Sequence, residues 1–365
     1  MYKILGVLIL SIHGLIHLMG FMKAFHWGQV SQIAKEISKP WGLVWLLTAM
    51  ILVGAAITFA LNYRLWWALA GIGLVLSLIL IFTTWQDAKF GMIPNALLFG
   101  MLMIAYASCS FYNIFLKDVD LFLQSDVANT SEILTESDIV ELPEPVQKYL
   151  RYTASIGKPH VHYFEAEFSG KIRKNDQYEW MPLHTQQYNF MANPARLFFM
   201  NAVMKTLPVA GIHSYKNGKA TMDIRLFSLL QVQFMDGRDM DVAETVTFFN
   251  DMCVLAPPTL IDQRIKWVEV NGNQVKASFT NKEIVVTACL YFNDEGQLIN
   301  FSSDDRYNFD AAKKLKWSTP LRNYKEFNGY RLATSADAIY HYPKGDVIYG
   351  SFDLQKLMYN VKKID

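Results

Sequence analysis

Four stretches of the chain stay apolar for long enough to cross a bilayer. Ile4 to Met22 is uncharged between Lys3 and Lys23, and Trp41 to Leu61 follows Lys39-Pro40. Leu65 to Trp85 lies between Arg64 and Asp87, and Ile93 to Leu116 ends at Lys117. About 20 apolar residues are needed to cross ~30 Å of hydrocarbon, where every backbone polar group must be satisfied within the segment. The pattern predicts transmembrane helices at about 4–22, 41–61, 65–85 and 93–116, within a membrane domain of residues 1–116. Trp41, Tyr63, Trp66, Trp67 and Trp85 stand near their ends, as in interfacial belts. The first stretch exceeds a signal-peptide h-region and no small-x-small site follows it, so it reads as a retained span. Very short connections after the second and third spans imply an antiparallel four-helix bundle.

Residues 117–141 form an acidic, Ser/Thr-bearing linker, and the polar pattern then changes twice. PEPVQKYLRYT places Val146, Tyr149, Leu150 and Thr153 at helical spacing behind a proline start, one short amphipathic helix. From His160 the period becomes two. HVHYFEAEFSGKI puts His162, Phe164, Ala166, Phe168 and Ile172 on one face, against Val161, Tyr163, Glu165 and Glu167. Turn signals recur at Lys174-Asn175-Asp176, Asn217-Gly218, Asn271-Gly272, Asn293 to Gly296, Asn328-Gly329 and Pro343-Lys344-Gly345. One interruption, DVAETVTFFNDMCVLAPP, has helical periodicity and stops at Pro257-Pro258.

The expected fold of residues 142–365 is α+β. It is a large curved antiparallel sheet, a half-barrel of roughly nine to eleven strands, with one or two helices on its concave face. Val242, Val246, Phe249 and Cys253 would plug the hollow.

Charge divides the chain in the same place. Up to Leu116 there are six basic residues (Lys3, Lys23, Lys35, Lys39, Arg64, Lys89) and two acidic ones (Glu36, Asp87). The remaining 28 basic and 31 acidic residues follow, interspersed. No basic stripe accompanies them, which argues against nucleic acid as a partner. Lys23, Lys35, Lys39 and Lys89 face one side of the membrane; Lys3, Arg64 and Lys117 face the other. By the positive-inside rule that small excess points to a bacterial inner-membrane protein whose soluble domain is extracytoplasmic. The three cysteines, Cys109, Cys253 and Cys289, make no metal signature, and a Cys253–Cys289 bridge is left open.

Candidate chemistry is sparse. His13 and His17 share one face of the first span, and ionisable groups there are functional candidates by default. Spans two to four offer no histidine, aspartate or glutamate to complete a metal or haem site. Hydrogen bonding to hydroxyls or carbonyls of neighbouring helices accounts for the pair. WQDAKFGMIPN (residues 85–95) resembles the loop of prepilin-type aspartyl peptidases, but no second aspartate partners Asp87, so it reads as a helix-capping turn. No nucleophile elbow, P-loop or dinucleotide fingerprint occurs, and Asp236 to Glu244 reads as acids favouring a helix N-terminus.

LPEPVQKYL, WMPLHTQQY, CVLAPPTLI, RNYKEFNGYRLATSADAIYHYP and the final strand resemble a bacterial membrane-protein family of unknown function, from about Leu142 to Tyr359. Its pattern is similar to the half-barrels of the LolA and LolB lipoprotein carriers, and the four-span half resembles the small DoxX-type proteins. The strand meander, the helical plug and the Phe/Met lining point to an apolar or amphipathic ligand (a lipid, acyl chain or lipoprotein tail) bound without catalysis, since the family brings no established catalytic residues and fold likeness supplies no function. No cofactor and no metal are expected, with membrane lipids as partners. Adaptable apolar side chains suit such a pocket. The candidates are Trp180, His184, Phe190, Phe198, Met200, Met204, Met222, Phe227, Phe234 and Phe249. Two alternatives are an enzyme using His184 or His160 with His162, and a protein-interaction domain working through a sheet edge.

Overall fold

The computed structural model describes residues 2–63, 66–125 and 132–361. The chain divides into two compact units, Met1–Ser110 and Phe111–Asp365. Arg64, Leu65 and residues 126–131 of the acidic segment lie outside the described residues.

In the first unit the apolar stretches are helices α1 (Tyr2–Ala24), α2 (Lys39–Ala60) and α3 (Trp66–Thr83), then a turn α4 (Trp85–Ala88), then α5 (Met92–Ser125). These supply four helices long and apolar enough to cross a membrane. Polarity is inverted relative to a water-soluble bundle. Ile4, Leu8, Ile12 and Leu15 of α1 face outward, whereas His13, His17, Thr48, Ser77 and Asn95 are buried. Such a surface suits contact with lipid rather than water. Gly20 permits the approach of α1 to α2, since a Cβ there would fall 2.0 Å from the Trp45 ring. α5 continues beyond Leu116 to Ser125, so helix covers the first residues of the acidic segment.

The second unit opens with that end of α5, then a turn α6 (Glu136–Ile139) and helix α7 (Glu144–Tyr152). Strands β1 (Tyr163–Ile172), β2 (Met181–Phe190), β3 (Ala195–Met204), β4 (Leu207–Lys216), β5 (Lys219–Leu226) and β6 (Leu230–Met235) follow. Helix α8 (Arg238–Leu255) then leads to β7 (Ile265–Asn271), β8 (Gln274–Asn281), β9 (Ile284–Phe292) and β10 (Leu298–Ser303). A small hairpin, β11 (Tyr307–Asn308) and β12 (Lys313–Lys314), precedes β13 (Trp317–Phe327), β14 (Tyr330–Tyr342) and β15 (Gly345–Tyr359).

The sheet has 13 strands in the order β6-β5-β4-β3-β2-β1-β15-β14-β13-β10-β9-β8-β7, more than the nine to eleven expected. The surplus arises because short strands such as β6 and β10 leave weak alternation in sequence. β6 and β7 are edges that do not meet, so the sheet is open. Asn217-Gly218 and Asn328-Gly329 close two-residue hairpins with φ of 55° and 75°, and 50° and 79°. These are the doubly left-handed turns that Asn-Gly suits.

The topology explains the helix in the hollow. The chain runs outward from β1 to edge β6 and must restart at the opposite edge, β7. α8 and the turn Pro257–Ile261 carry it there, and α8 is buried along most of its length. Phe248 and Phe249 stack on Phe279, and Phe249 also meets Phe301. The outer face of β2 to β4 is covered by Phe111, Phe115 and Val119 of α5 against Tyr188, Leu197 and Phe199. Cys253 and Cys289 form no disulfide, which removes the open bridge between them.

Candidate ligand cavity

Alternation along β3 sorts its side chains. Ala195, Leu197 and Phe199 join the outer cluster, and Arg196, Phe198 and Met200 turn into the hollow. There, between α8 and the sheet, lies a partly open cavity of about 170 Å³. Its apolar wall comes from Phe168, Ile172, Leu183, Phe198, Met200 and Phe352. Val254 and Leu255 of α8 close the far side.

The other wall is charged. Arg196 donates from Nε to Asp251 Oδ2 (2.8 Å), from Nη1 to Glu244 Oε2 (3.2 Å) and from Nη2 to Gln187 Oε1 (3.1 Å). Gln187 and Asn189 donate to the same Asp251 oxygen at 2.7 and 3.1 Å. Arg306 donates to the Ala243 carbonyl (2.8 Å), to Thr247 Oγ1 and to Tyr340 OH (3.1 Å). The two guanidinium planes also lie over rings, Arg196 over Phe198 and Arg306 over Trp317. Burial would raise the Glu244 carboxyl, but Arg196, His213 and Arg306 outweigh it and hold it below the usual range. Asp251 moves the other way, pushed up by burial against Arg196. Burial takes the His213 imidazole down to about 4, with Glu244 opposing and Arg196 and Arg306 reinforcing. His213 is therefore neutral at pH 7 and lines the cavity beside Phe198, ring centroids 5.5 Å apart.

Of the ten pocket candidates, Phe198 and Met200 line this cavity, and Met222 packs against them from behind. Phe249 belongs to the core beneath α8. Phe190 is on the outer face with Phe122 and Tyr163. His184 is exposed, and Trp180 sits at the β1–β2 connection between Lys171 and Arg173. Met204 and Phe227 lie at hairpin ends, and Phe234 is on edge strand β6. His160 faces Glu132 at 3.6 Å, away from the cavity. Among the described residues no group of three His, Cys, Asp or Glu side chains could hold a metal ion.

Sequence reasoning missed Arg196, His213, Glu244, Asp251 and Arg306. A signal existed: Glu244, Thr247 and Asp251 are one turn apart along α8, a polar line on a helix otherwise written for burial. The first-turn acids Asp239 and Asp241 are a separate matter, with Asp241 accepting from the Ala220 amide and Lys219.

Residues 132–352, which include every side chain of this cavity, match the family described as "Family of unknown function (DUF6544)". The chain belongs to that family. No curated protein matches it. Among solved structures, this DUF6544 protein is similar to a LolA superfamily protein from Nitrosomonas europaea. Identity is 9% and the TM-score 0.34, over 60% of this chain and 92% of the other. A DUF1329 family protein from Desulfovibrio piger gives 12% identity and a TM-score of 0.35, over 60% and 94%. A beta-barrel-like DUF1849 protein from Brucella abortus gives 8% and 0.18, over 55% and 99%.

Proposed function

We propose that the protein is held in a bacterial inner membrane by its four apolar helices. Its C-terminal unit, on the extracytoplasmic side, binds an apolar or amphipathic molecule, such as a lipid, acyl chain or lipoprotein tail, without transforming it. The observation that carries this reading is the division of the cavity wall. One side is apolar side chains, and the other is a charged group whose members largely satisfy each other. A chain end fits against Phe198, Met200 and Leu183, and a polar end fits toward His213 and Arg306. Among the described residues, the hydrogen bonds of Arg306 leave from Nε and Nη1, and none from Nη2.

Size limits the occupant. An engineered apolar cavity of roughly 150 Å³ takes benzene, so about 170 Å³ admits the end of a chain rather than all of it. A longer tail requires α8 to shift.

The test uses the full chain in nanodiscs and a fluorescent stearate analogue, with lauric acid as competitor. Saturable, competable binding that Met200→Trp removes by filling the cavity is the expected result. Binding unaffected by Met200→Trp would reject the site.

A further inference from the structure

The membrane-helix unit contains a second cavity, of about 270 Å³, bounded by α1, α2, the α1–α2 connection and the turn between α3 and α5. His13 and His17 line it and are each 2% exposed. Their hydrogen bonds determine what the cavity can receive. A charged imidazole in an apolar bundle is costly, so each ring carries one proton. His17 Nδ1 lies 2.8 Å from the backbone carbonyl of His13. A carbonyl only accepts, so the proton is on Nδ1 and Nε2 is a bare lone pair. That Nε2 is buried and has no partner among the described residues.

His13 repeats the arrangement. Its Nε2 lies 2.8 Å from Asn95 Oδ1 and 3.0 Å from Ser77 Oγ. With the Asn95 amide oxygen accepting from Nε2, His13 Nδ1 is left without a partner among the described residues, as is Asn95 Nδ2. The one-turn spacing that makes the pair look like plain helix-to-helix bonding thus uses only half of each ring. A buried acceptor without a donor is destabilising, because it has given up its bond to water and gained none in return.

We propose that this cavity binds a small, uncharged, membrane-soluble molecule bearing a hydroxyl, a phenol or alcohol, whose O–H donates to His17 Nε2. Trp45, 5.2 Å from the His17 ring, flanks the hydroxyl. Ile16, Met19, Ile81 and Phe90 receive the apolar body. Access is from the loop end of the bundle, where Gln32, Ile33 and Asp87 complete the wall. Lys35 fastens that end by donating its backbone N–H to Asp87 Oδ2 (3.0 Å) and its ammonium to the Thr83 carbonyl (2.6 Å). This site lies in a different unit from the sheet cavity, and nothing in the argument depends on that other reading.

The test compares β-naphthol with its methyl ether, which has the same body and no donor. Equilibrium dialysis uses the full chain in nanodiscs, corrected against empty discs. The naphthol is expected to bind roughly tenfold tighter than the ether, the worth of one buried hydrogen bond. His17→Leu should equalise the two, and His17→Asn, which keeps an acceptor, should retain part of the preference. Nitrogen NMR of histidine-labelled wild-type chain gives a readout independent of variant folding: naphthol should shift the bare Nε2 resonance of His17 and the ether should not. Equal affinities in the wild type, a preference that survives His17→Leu, or a stoichiometric metal ion held on His17 would each overturn the proposal.

Discussion

Replacing Arg196 by Met keeps an unbranched apolar stem but removes the guanidinium, and with it the positive charge between two buried carboxylates. The side chains of Arg196, Glu244 and Asp251 are 8%, 3% and 9% exposed, so water cannot substitute for the lost donor. Breaking a buried ion pair from one side costs about 3–5 kcal/mol, because the remaining charge is left desolvated. Arg306 still faces Glu244, and Gln187 and Asn189 still donate to Asp251. The lower end, about 3 kcal/mol, is therefore expected at neutral pH, a fall in Tm on the order of 10 °C.

The pH dependence is more diagnostic. In the wild type Glu244 titrates below its ordinary 4.5, so its contribution is present above that value and lost as pH falls. Without Arg196, burial raises the carboxyls, and a raised carboxyl stabilises only when protonated. The variant's deficit should therefore be largest near neutrality and shrink as pH approaches 4.5. Cys253 is fully buried in this unit, so its modification by a thiol reagent across a temperature series reports opening there. Removing all three charges together, with Arg196→Met, Glu244→Gln and Asp251→Asn, should recover most of the loss. A deficit below about 1 kcal/mol, or one independent of pH, would refute the account.

Three further outcomes are expected. His213 falls from 6.5 to about 4 on folding, so the unfolded chain takes up a proton first. Stability should therefore drop by about 1–3 kcal/mol as pH is lowered from 6.5 toward 4, and His213→Gln should flatten that limb of an unfolding series. Tyr149 OH donates to the Cys253 carbonyl (2.9 Å) and Tyr359 OH to the Leu255 carbonyl, which together cap the end of α8. Each Phe replacement should cost about 1 kcal/mol, read as faster hydrogen exchange in the last turn of α8. Gly20→Val places a side chain within the Trp45 ring and should cost about 1–3 kcal/mol, measured as a lower melting temperature of the α1–α2 pair in micelles.

The parts of the structure that read well in sequence are those where one physical term dominates. Hydrocarbon tolerates no unpaired backbone, so helices long and apolar enough to cross it, four here, stand out by length alone. Doubly left-handed turns admit few residues, so Asn217-Gly218 and Asn328-Gly329 mark hairpins without reference to their strands. The cavity is legible only by half, because its apolar members are indistinguishable from core. Phe190 and Phe198 sit in consecutive strands with similar neighbours, yet one faces α5 and the other faces α8, a difference set by register alone. The charged wall was obscured for a different reason. Glu244 follows directly on the acids of the first turn of α8, so a local rule about helix termini absorbs it. Only the partner, Arg196, separates the two cases. It holds the same alternate positions as Phe198 and Met200, and a guanidinium in register with an apolar face requires buried acceptors elsewhere in the chain. Glu244 and Asp251, two turns apart on α8 where it crosses the hollow, are those acceptors, so the pairing of β3 with α8 defines the cavity as much as its apolar lining does.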